Sequence, residues 1–350
     1  MKGVRRTVTS LSETLRAVWP VQRKTPVVRL DDDALEIYVK LESANPYGSV
    51  KDRSACWILQ QAVERGDLTE GGTVIESSSG NFAISMAEYC RALGVNFIPV
   101  IDPNCNATTA ARLRRLCRRV EQVEAPDASG GFLSTRLARL HQVRAELGQT
   151  YWPNQYANQD ALEAHYQLTG AELCEQVPRL DHVFIGVSTG GTIAGVSRRV
   201  KEQRPGVKVI AVDAAGSAAF GMPPARRRIP GLGSSIVPEL CGLAEIDEVV
   251  IVAEPDAVLG CHELMYRHGV YGGGSTGSAY AALRQYFTKH PPRDGHRPAV
   301  AFLCADGGTA YEATIYNPEW IRAEFGEQLV TAIAAIAGSV PVSAGRMRAE

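Results

Sequence analysis

Asn45-Pro46-Tyr47-Gly48-Ser49-Val50-Lys51-Asp52-Arg53 is the stretch on which the reading of this chain turns. A lysine that opens a helix just after a Pro/Gly turn is placed to form a Schiff base with a carbonyl ligand. Further along, Ser188-Thr189-Gly190-Gly191-Thr192 ends a β-rich run and begins a helix. Such a Gly-rich loop offers backbone N–H groups and a helix N-terminus to an anion. Taken alone, the second loop also reads as a tight βα turn with no ligand. It does not have the G-x-G-x-x-G spacing of a dinucleotide fingerprint, and no Walker lysine follows it.

The two loops together, an amine for an aldehyde and a cup for a phosphate, point to pyridoxal 5'-phosphate. Two further loops fit that reading. Ser77-Ser78-Ser79-Gly80-Asn81-Phe82 lies between a strand and a helix, so the N–H groups and hydroxyls of Ser78, Ser79 and Gly80 can converge on an amino-acid carboxylate. Asn81 can donate its amide to a phenolic oxygen of the cofactor. The same residues also suit a plain N-cap turn. At Gly272-Gly273-Gly274-Ser275-Thr276-Gly277-Ser278, Ser275 is the candidate partner of a pyridine nitrogen. A hydroxyl there does not hold that nitrogen protonated, which favours prompt loss of a β-leaving group over transamination.

Short β-rich runs alternate with longer helical ones, the signature of a parallel sheet covered by helices. Strands are predicted near Glu36–Leu41, Thr73–Glu76, Asn96–Ile101, His182–Gly186, Val207–Val212, Glu248–Val252 and Ala299–Cys304, and helices over Ser54–Arg65 and Ala83–Leu93, each stopped by a glycine. A boundary is expected near Tyr151-Trp152-Pro153-Asn154, and residues 326–350 read as an Ala/Ile-rich helix with a polar, peripheral tail.

With 350 residues and 45% hydrophobic content the chain can bury a large core. Its 37 Lys and Arg balance 38 Asp and Glu, which leaves no electrostatic footprint for nucleic acid or an anionic membrane. The eight cysteines are scattered without a C-x-x-C pair or a His cluster at metal spacing, so no metal is expected and the thiols read as reduced core residues. Residues 1–18 lack an apolar leader, and no run reaches the ~18 apolar residues of a spanning helix, so a cytoplasmic protein is expected.

In order along the chain, N-P-x-x-S-x-K-x-R at Lys51, S-S-G-N at Ser78 to Asn81, T-G-G-T at Thr189 to Thr192 and G-S-x-G at Ser275 resemble the cysteine synthase and cystathionine β-synthase family. The resemblance runs from about Thr25-Pro26 to Asp306. It implies an α/β fold of the fold type II, tryptophan synthase β-like kind, with two three-layer αβα domains and mostly parallel sheets. The small mobile domain is expected over residues 35–152, the large one over 20–34 plus 153–325, and a homodimer is expected. Lys51 then carries the cofactor as a Schiff base, Asn81 contacts its oxygen, Ser188, Thr189, Gly190, Gly191 and Thr192 hold its phosphate, and Ser275 faces its ring nitrogen.

Departures from the family pattern narrow the substrate. This chain has Ser188 where O-acetylserine enzymes commonly read G-T-G-G-T. It reads Gln155-Tyr156-Ala157-Asn158-Gln159 where they carry a phenylalanine. Both changes add a hydroxyl, and Arg136 in Ser134-Thr135-Arg136-Leu137 supplies a cation, a set suited to a phosphate leaving group. The combination, with Tyr271-Gly272-Gly273-Gly274-Ser275, resembles family members that join O-phospho-L-serine to L-glutamate on the way to 2,3-diaminopropionate for siderophores or peptide antibiotics. A sulfhydrylase using O-phosphoserine or O-acetylserine shares every cofactor residue and stays open. Arg226-Arg227-Arg228 reads as a solvated loop, with no contact to glutamate assigned. Cys304-Ala305-Asp306-Gly307-Gly308 stands where the family often has Pro-Asp-Ser-Gly, and its effect on the pocket edge is open.

Overall fold

The computed structural model describes residues 11–18, 23–127, 131–293 and 295–339. In chain order its regular elements are α1 (Leu11–Val18), β1 (Val27–Leu30), β2 (Glu36–Leu41), α2 (Lys51–Arg65), β3 (Thr73–Ser77), α3 (Asn81–Leu93), β4 (Asn96–Ile101), α4 (Ala107–Leu116), β5 (Glu121–Gln122), α5 (Leu133–Leu147), α6 (Gln159–Ala164), α7 (Ala171–Gln176), β6 (His182–Gly186), α8 (Gly191–Gln203), β7 (Lys208–Ala214), β8 (Glu248–Val252), α9 (Glu254–His268), α10 (Gly274–Lys289), β9 (Ala299–Cys304), α11 (Pro318–Phe325) and α12 (Glu327–Ser339). A π-helical turn, His165–Gly170, joins α6 to α7.

Six strands form one sheet in the order β1-β2-β9-β6-β7-β8, and β3-β4-β5 form a second. All pairings are parallel except β1 with β2. Strand β9 is buried at every position because β2 and β6 flank it and helices cover both faces, which is why Ala299–Cys304 is an unbroken apolar run. One face packs under α9 and α10 through Val258, Leu264 and Leu283, and the other under α8 through Ile193, Val196 and Val200. The smaller sheet is likewise sandwiched, by α2 and α3 on one face (Ile58, Leu59, Met86) and α5 on the other (Leu140, Val143). This is an α/β fold of two layered units.

The seven predicted strands are all present, and β1 and β5 are additional. One assignment is corrected: residues 36–41, grouped by the sequence with the small unit, pair with β9 in register Glu36↔Ala299 to Leu41↔Cys304 and so belong to the six-stranded sheet. Periodicity reveals that a segment is a strand but not which strand it will pair with, and the antiparallel partner Val27–Leu30 is too short to announce itself. At the expected boundary, Tyr151 N donates to Thr73 O and Ile75 N to Tyr151 O, each at 2.9 Å, so Tyr151 borders the small sheet beside β3. Helix α12 buries Ile333 in the large core, and residues 340–350, with the expected polar tail, lie outside the described residues.

Candidate active site

The loops after β3, β6 and β9 surround one cavity of about 850 Å³ at the C-terminal ends of the strands. Lys51, Ser78, Ser79, Gly80, Asn81, Arg136, Tyr156, Ser188, Thr189, Gly190, Thr192 and Ser275 all line it. Residues from both halves of the chain are thereby brought to a single cavity. Gly191 does not line it; a Cβ there would meet Ala161 Cβ at 3.1 Å, so this glycine serves the packing of α8 on α6.

Lys51 is the first residue of α2, set by a turn in which Gly48 has φ 94°. Tyr47 N donates to Asp52 Oδ2 at 2.7 Å, and Val50 N to Ala305 O at 2.7 Å, so the turn is tied both to its own helix and to the loop after β9. Burial holds the Lys51 ammonium below the usual lysine value, and the charge of Asp306 opposes that shift. Behind α2, Arg53 is fully buried between Glu42 (Nε to Oε2, 2.8 Å) and Glu172 (Nη1 to Oε1, 2.6 Å), and Lys40 Nζ shares Glu172 Oε2 at 2.6 Å. This network joins β2, α2 and α7 beneath the lysine.

Asn81 opens α3 and donates Nδ2 to Asp306 Oδ2 at 2.7 Å. Tyr311 Oη donates to the same oxygen at 2.8 Å, and Asp306 Oδ1 is buried without a partner. Burial raises the Asp306 carboxyl above the usual aspartate value, against the Tyr311 and Asn81 hydrogen bonds and the Lys51 charge. The stretch that left the pocket edge open in the sequence therefore supplies the acidic group nearest the lysine's field.

The cup at Ser188–Thr192 is the start of α8, whose leading amides have no intrahelical acceptor. Gly190 has φ 89°, and a Cβ on it would lie 2.7 Å from Cys241 N. Thr192 Oγ1 lies 3.2 Å from His165 Nε2, and His165 Nδ1 lies 3.0 Å from Thr169 Oγ1. Burial lowers the His165 pKa well below its usual value, reinforced by the Lys51 and Arg53 charges, so the ring is neutral beside the cup. Its place on the π turn could not be read from the sequence, where it is an isolated histidine.

Arg136, also lining the cavity, donates Nη1 to Ser79 Oγ at 2.9 Å and lies 3.2 Å from Asp102 Oδ2, and Ser79 Oγ donates to the same carboxylate at 2.9 Å. Arg136 Nε is buried with no partner. Beside it, Glu76 receives Ser77 N at 2.7 Å, Gln155 N at 3.3 Å and Trp152 Nε1 at 3.4 Å, and burial pushes its carboxyl up to about 7. Burial also raises the Tyr156 hydroxyl, countered by Arg136 and Arg227.

These residues fit pyridoxal phosphate. An enclosed amine of lowered basicity stands in the same cavity as a helix-start loop, and residues lining that cavity carry buried, unpartnered polar atoms at Asp306 Oδ1, Ser77 Oγ and Arg136 Nε. Lys51 would bind its aldehyde and Ser188, Thr189, Gly190 and Thr192 its phosphate, with Ser275 at the start of α10 on the ring side. Among the described residues no group of three or more His, Cys, Asp or Glu gathers to hold a metal ion, and no helix is long and apolar enough to cross a membrane.

Comparison with known proteins gives the family. The pyridoxal-phosphate dependent enzyme family matches residues 18–321. An N-(2-amino-2-carboxyethyl)-L-glutamate synthase of Ralstonia nicotianae is 39% identical over 85% of this chain and 88% of its own, and one of Cupriavidus metallidurans is 40% identical over 86% and 88%. Among solved structures, a hydrogen sulfide-producing enzyme of Fusobacterium nucleatum superposes with a TM-score of 0.76 at 27% identity, covering 85% of this chain and 98% of the other. By this match over most of its length, the chain belongs to the pyridoxal-phosphate dependent enzymes.

Proposed function

We propose that the protein replaces the phosphate of O-phospho-L-serine by the amino group of L-glutamate, giving N-(2-amino-2-carboxyethyl)-L-glutamate and phosphate for 2,3-diaminopropionate and thence siderophore or peptide antibiotic synthesis. The observation that carries this reading is Arg136, whose buried Nε has no partner in the cavity that Lys51 also lines. A leaving phosphate brings two charges and several acceptor oxygens, which a guanidinium with the Tyr156 and Ser188 hydroxyls can receive. The relatives named for this reaction support it.

Bound in the cavity, pyridoxal phosphate supplies an electron sink for the donor's Cα–H bond pair. The amides and hydroxyls of Ser78, Ser79 and Gly80 hold the donor's carboxylate. Lys51, kept neutral more readily by burial, takes the Cα proton and later returns it. Arg136 meets the phosphate as the Cβ–O bond breaks, and the acceptor nitrogen then bonds to the same Cβ, losing a proton. Asn81, held by Asp306, would offer its amide to the cofactor's oxygen. The smaller layered unit closes over the donor carboxylate and excludes water from the reacting carbon. The enzyme acts in the cytoplasm as a homodimer.

Purified holoenzyme given O-phosphoserine, O-acetylserine or serine, then glutamate or sulfide, tests this by absorbance and product mass. A spectral response to O-phosphoserine discharged by glutamate to the carbon–nitrogen adduct supports it. Discharge by sulfide alone, giving cysteine, moves the protein to the sulfhydrylases, and silence toward every donor ends both readings.

A further inference from the structure

Resting on that reading, we propose that Arg227 is the specificity-determining residue for the acceptor: it binds the acceptor's side-chain carboxylate and so selects an acidic amino acid over a neutral amine or sulfide. Of the run Arg226-Arg227-Arg228, only the middle residue is withdrawn from solvent, and its neighbours are exposed. Its Nη1 donates to Gly216 O and its Nη2 to Ser235 Oγ at 3.4 Å. The stem lies on Gly233, where an added Cβ would meet Arg227 Nε at 3.1 Å and Cδ at 3.2 Å. Gly233 O in turn accepts from Ser188 Oγ at 3.1 Å, so this guanidinium is one backbone residue away from the hydroxyl assigned to the leaving group's side of the cavity.

The contacts to Gly216 and Ser235 leave most of the guanidinium's five N–H donors for a ligand. Arg228 is satisfied by Glu254 and Glu324, whereas among the described residues no carboxylate lies within ion-pair distance of Arg227. Burial works against its charge, and Asp213, Glu254 and Tyr156 only partly offset this. A half-buried guanidinium that lines a substrate cavity without an anionic partner is a receptor for a planar carboxylate. Arg136, Tyr156 and Arg227 line the same cavity. Donor chemistry needs one of the two cations, for the phosphate. Once phosphate has left, a dicarboxylate acceptor engages both: Arg136 its α-carboxylate and Arg227 its side-chain carboxylate. Sulfide needs neither.

Arg227→Gln in the holoenzyme tests this against Arg227→Lys and the unaltered protein. The absorbance response to O-phosphoserine and the KM for that donor are expected to stay within about twofold, while the KM for glutamate rises about 10- to 100-fold with little change in kcat, and the preference for glutamate over glutamine falls by a similar factor. Glutamate binding to the holoenzyme, measured by calorimetry, weakens in parallel, and Arg227→Lys recovers part of both. An unchanged glutamate-to-glutamine ratio overturns the proposal, as does a loss of O-phosphoserine response equal to the loss for glutamate, which would assign Arg227 to the phosphate. Unaltered enzyme that never consumes glutamate overturns the parent reading and this one together, and that result is visible before any variant is made.

Discussion

Asn81 and Asp306, 225 residues apart in sequence, are joined by a 2.7 Å hydrogen bond from the Asn81 amide to Asp306 Oδ2. It connects the first residue of a helix on the small sheet to the loop following a central strand of the large one, directly beside Lys51. Asp306 is also the charge whose field raises the Lys51 pKa against the lowering by burial. Replacement by asparagine keeps an acceptor for Asn81 but removes that charge. The Lys51 amine is then expected to deprotonate at lower pH, so the pH midpoint for the rate at which apoprotein takes up pyridoxal phosphate moves down in Asp306→Asn. A midpoint that stays in place or moves up would show that Asp306 carries no charge when it matters.

The Glu76 carboxyl predicts a pH dependence of stability. Its folded pKa, raised from 4.5 to about 7 by burial, means the folded state binds a proton that the unfolded state has already released. The protonated form's advantage is complete below the unfolded value and is lost as pH rises through the folded one. Between those values stability is expected to fall by on the order of 3 kcal/mol, and Glu76→Gln is expected to flatten this slope in urea unfolding series. Parallel slopes for the two proteins would assign the proton elsewhere.

Gly190→Ala tests the anion cup. With φ 89° and Cys241 N only 2.7 Å from a new Cβ, the backbone of the loop must shift for the methyl to fit. Pyridoxal phosphate affinity is expected to drop at least about tenfold, equivalent to ~1.4 kcal/mol or more, in equilibrium titrations of the apoprotein. Far-ultraviolet dichroism is expected to be unaltered. Wild-type affinity in the variant would dissociate the loop from the phosphate.

The Arg53 network predicts a stability effect with no direct contact to ligand. Removing the guanidinium leaves Glu42 and Glu172 buried without their shared cation, and Arg53→Met is expected to lower stability by about 3–5 kcal/mol in chemical denaturation. A loss below about 1 kcal/mol would mean that Lys40 alone can satisfy both carboxylates.

The sequence by itself determined the class of fold and marked the candidate residues of the site. Lys51 after a Pro/Gly turn, the Ser78–Asn81 loop, the Gly190-Gly191 cup and Ser275 each combine a local backbone signal with a reactive or binding group, and such signals lie within a few residues of one another. The strand and helix alternation was legible for the same reason, since side-chain period depends only on neighbours along the chain. What only the tertiary structure decided involves partners far apart: the pairing of Glu36–Leu41 with β9, the Asn81–Asp306 bond, the burial of Arg53 between Glu42 and Glu172, His165 behind Thr192, and the half-burial of Arg227 between two exposed arginines at the cavity. Burial and charge pairing depend on which surfaces meet when layers pack, and no local pattern in the chain encodes that meeting.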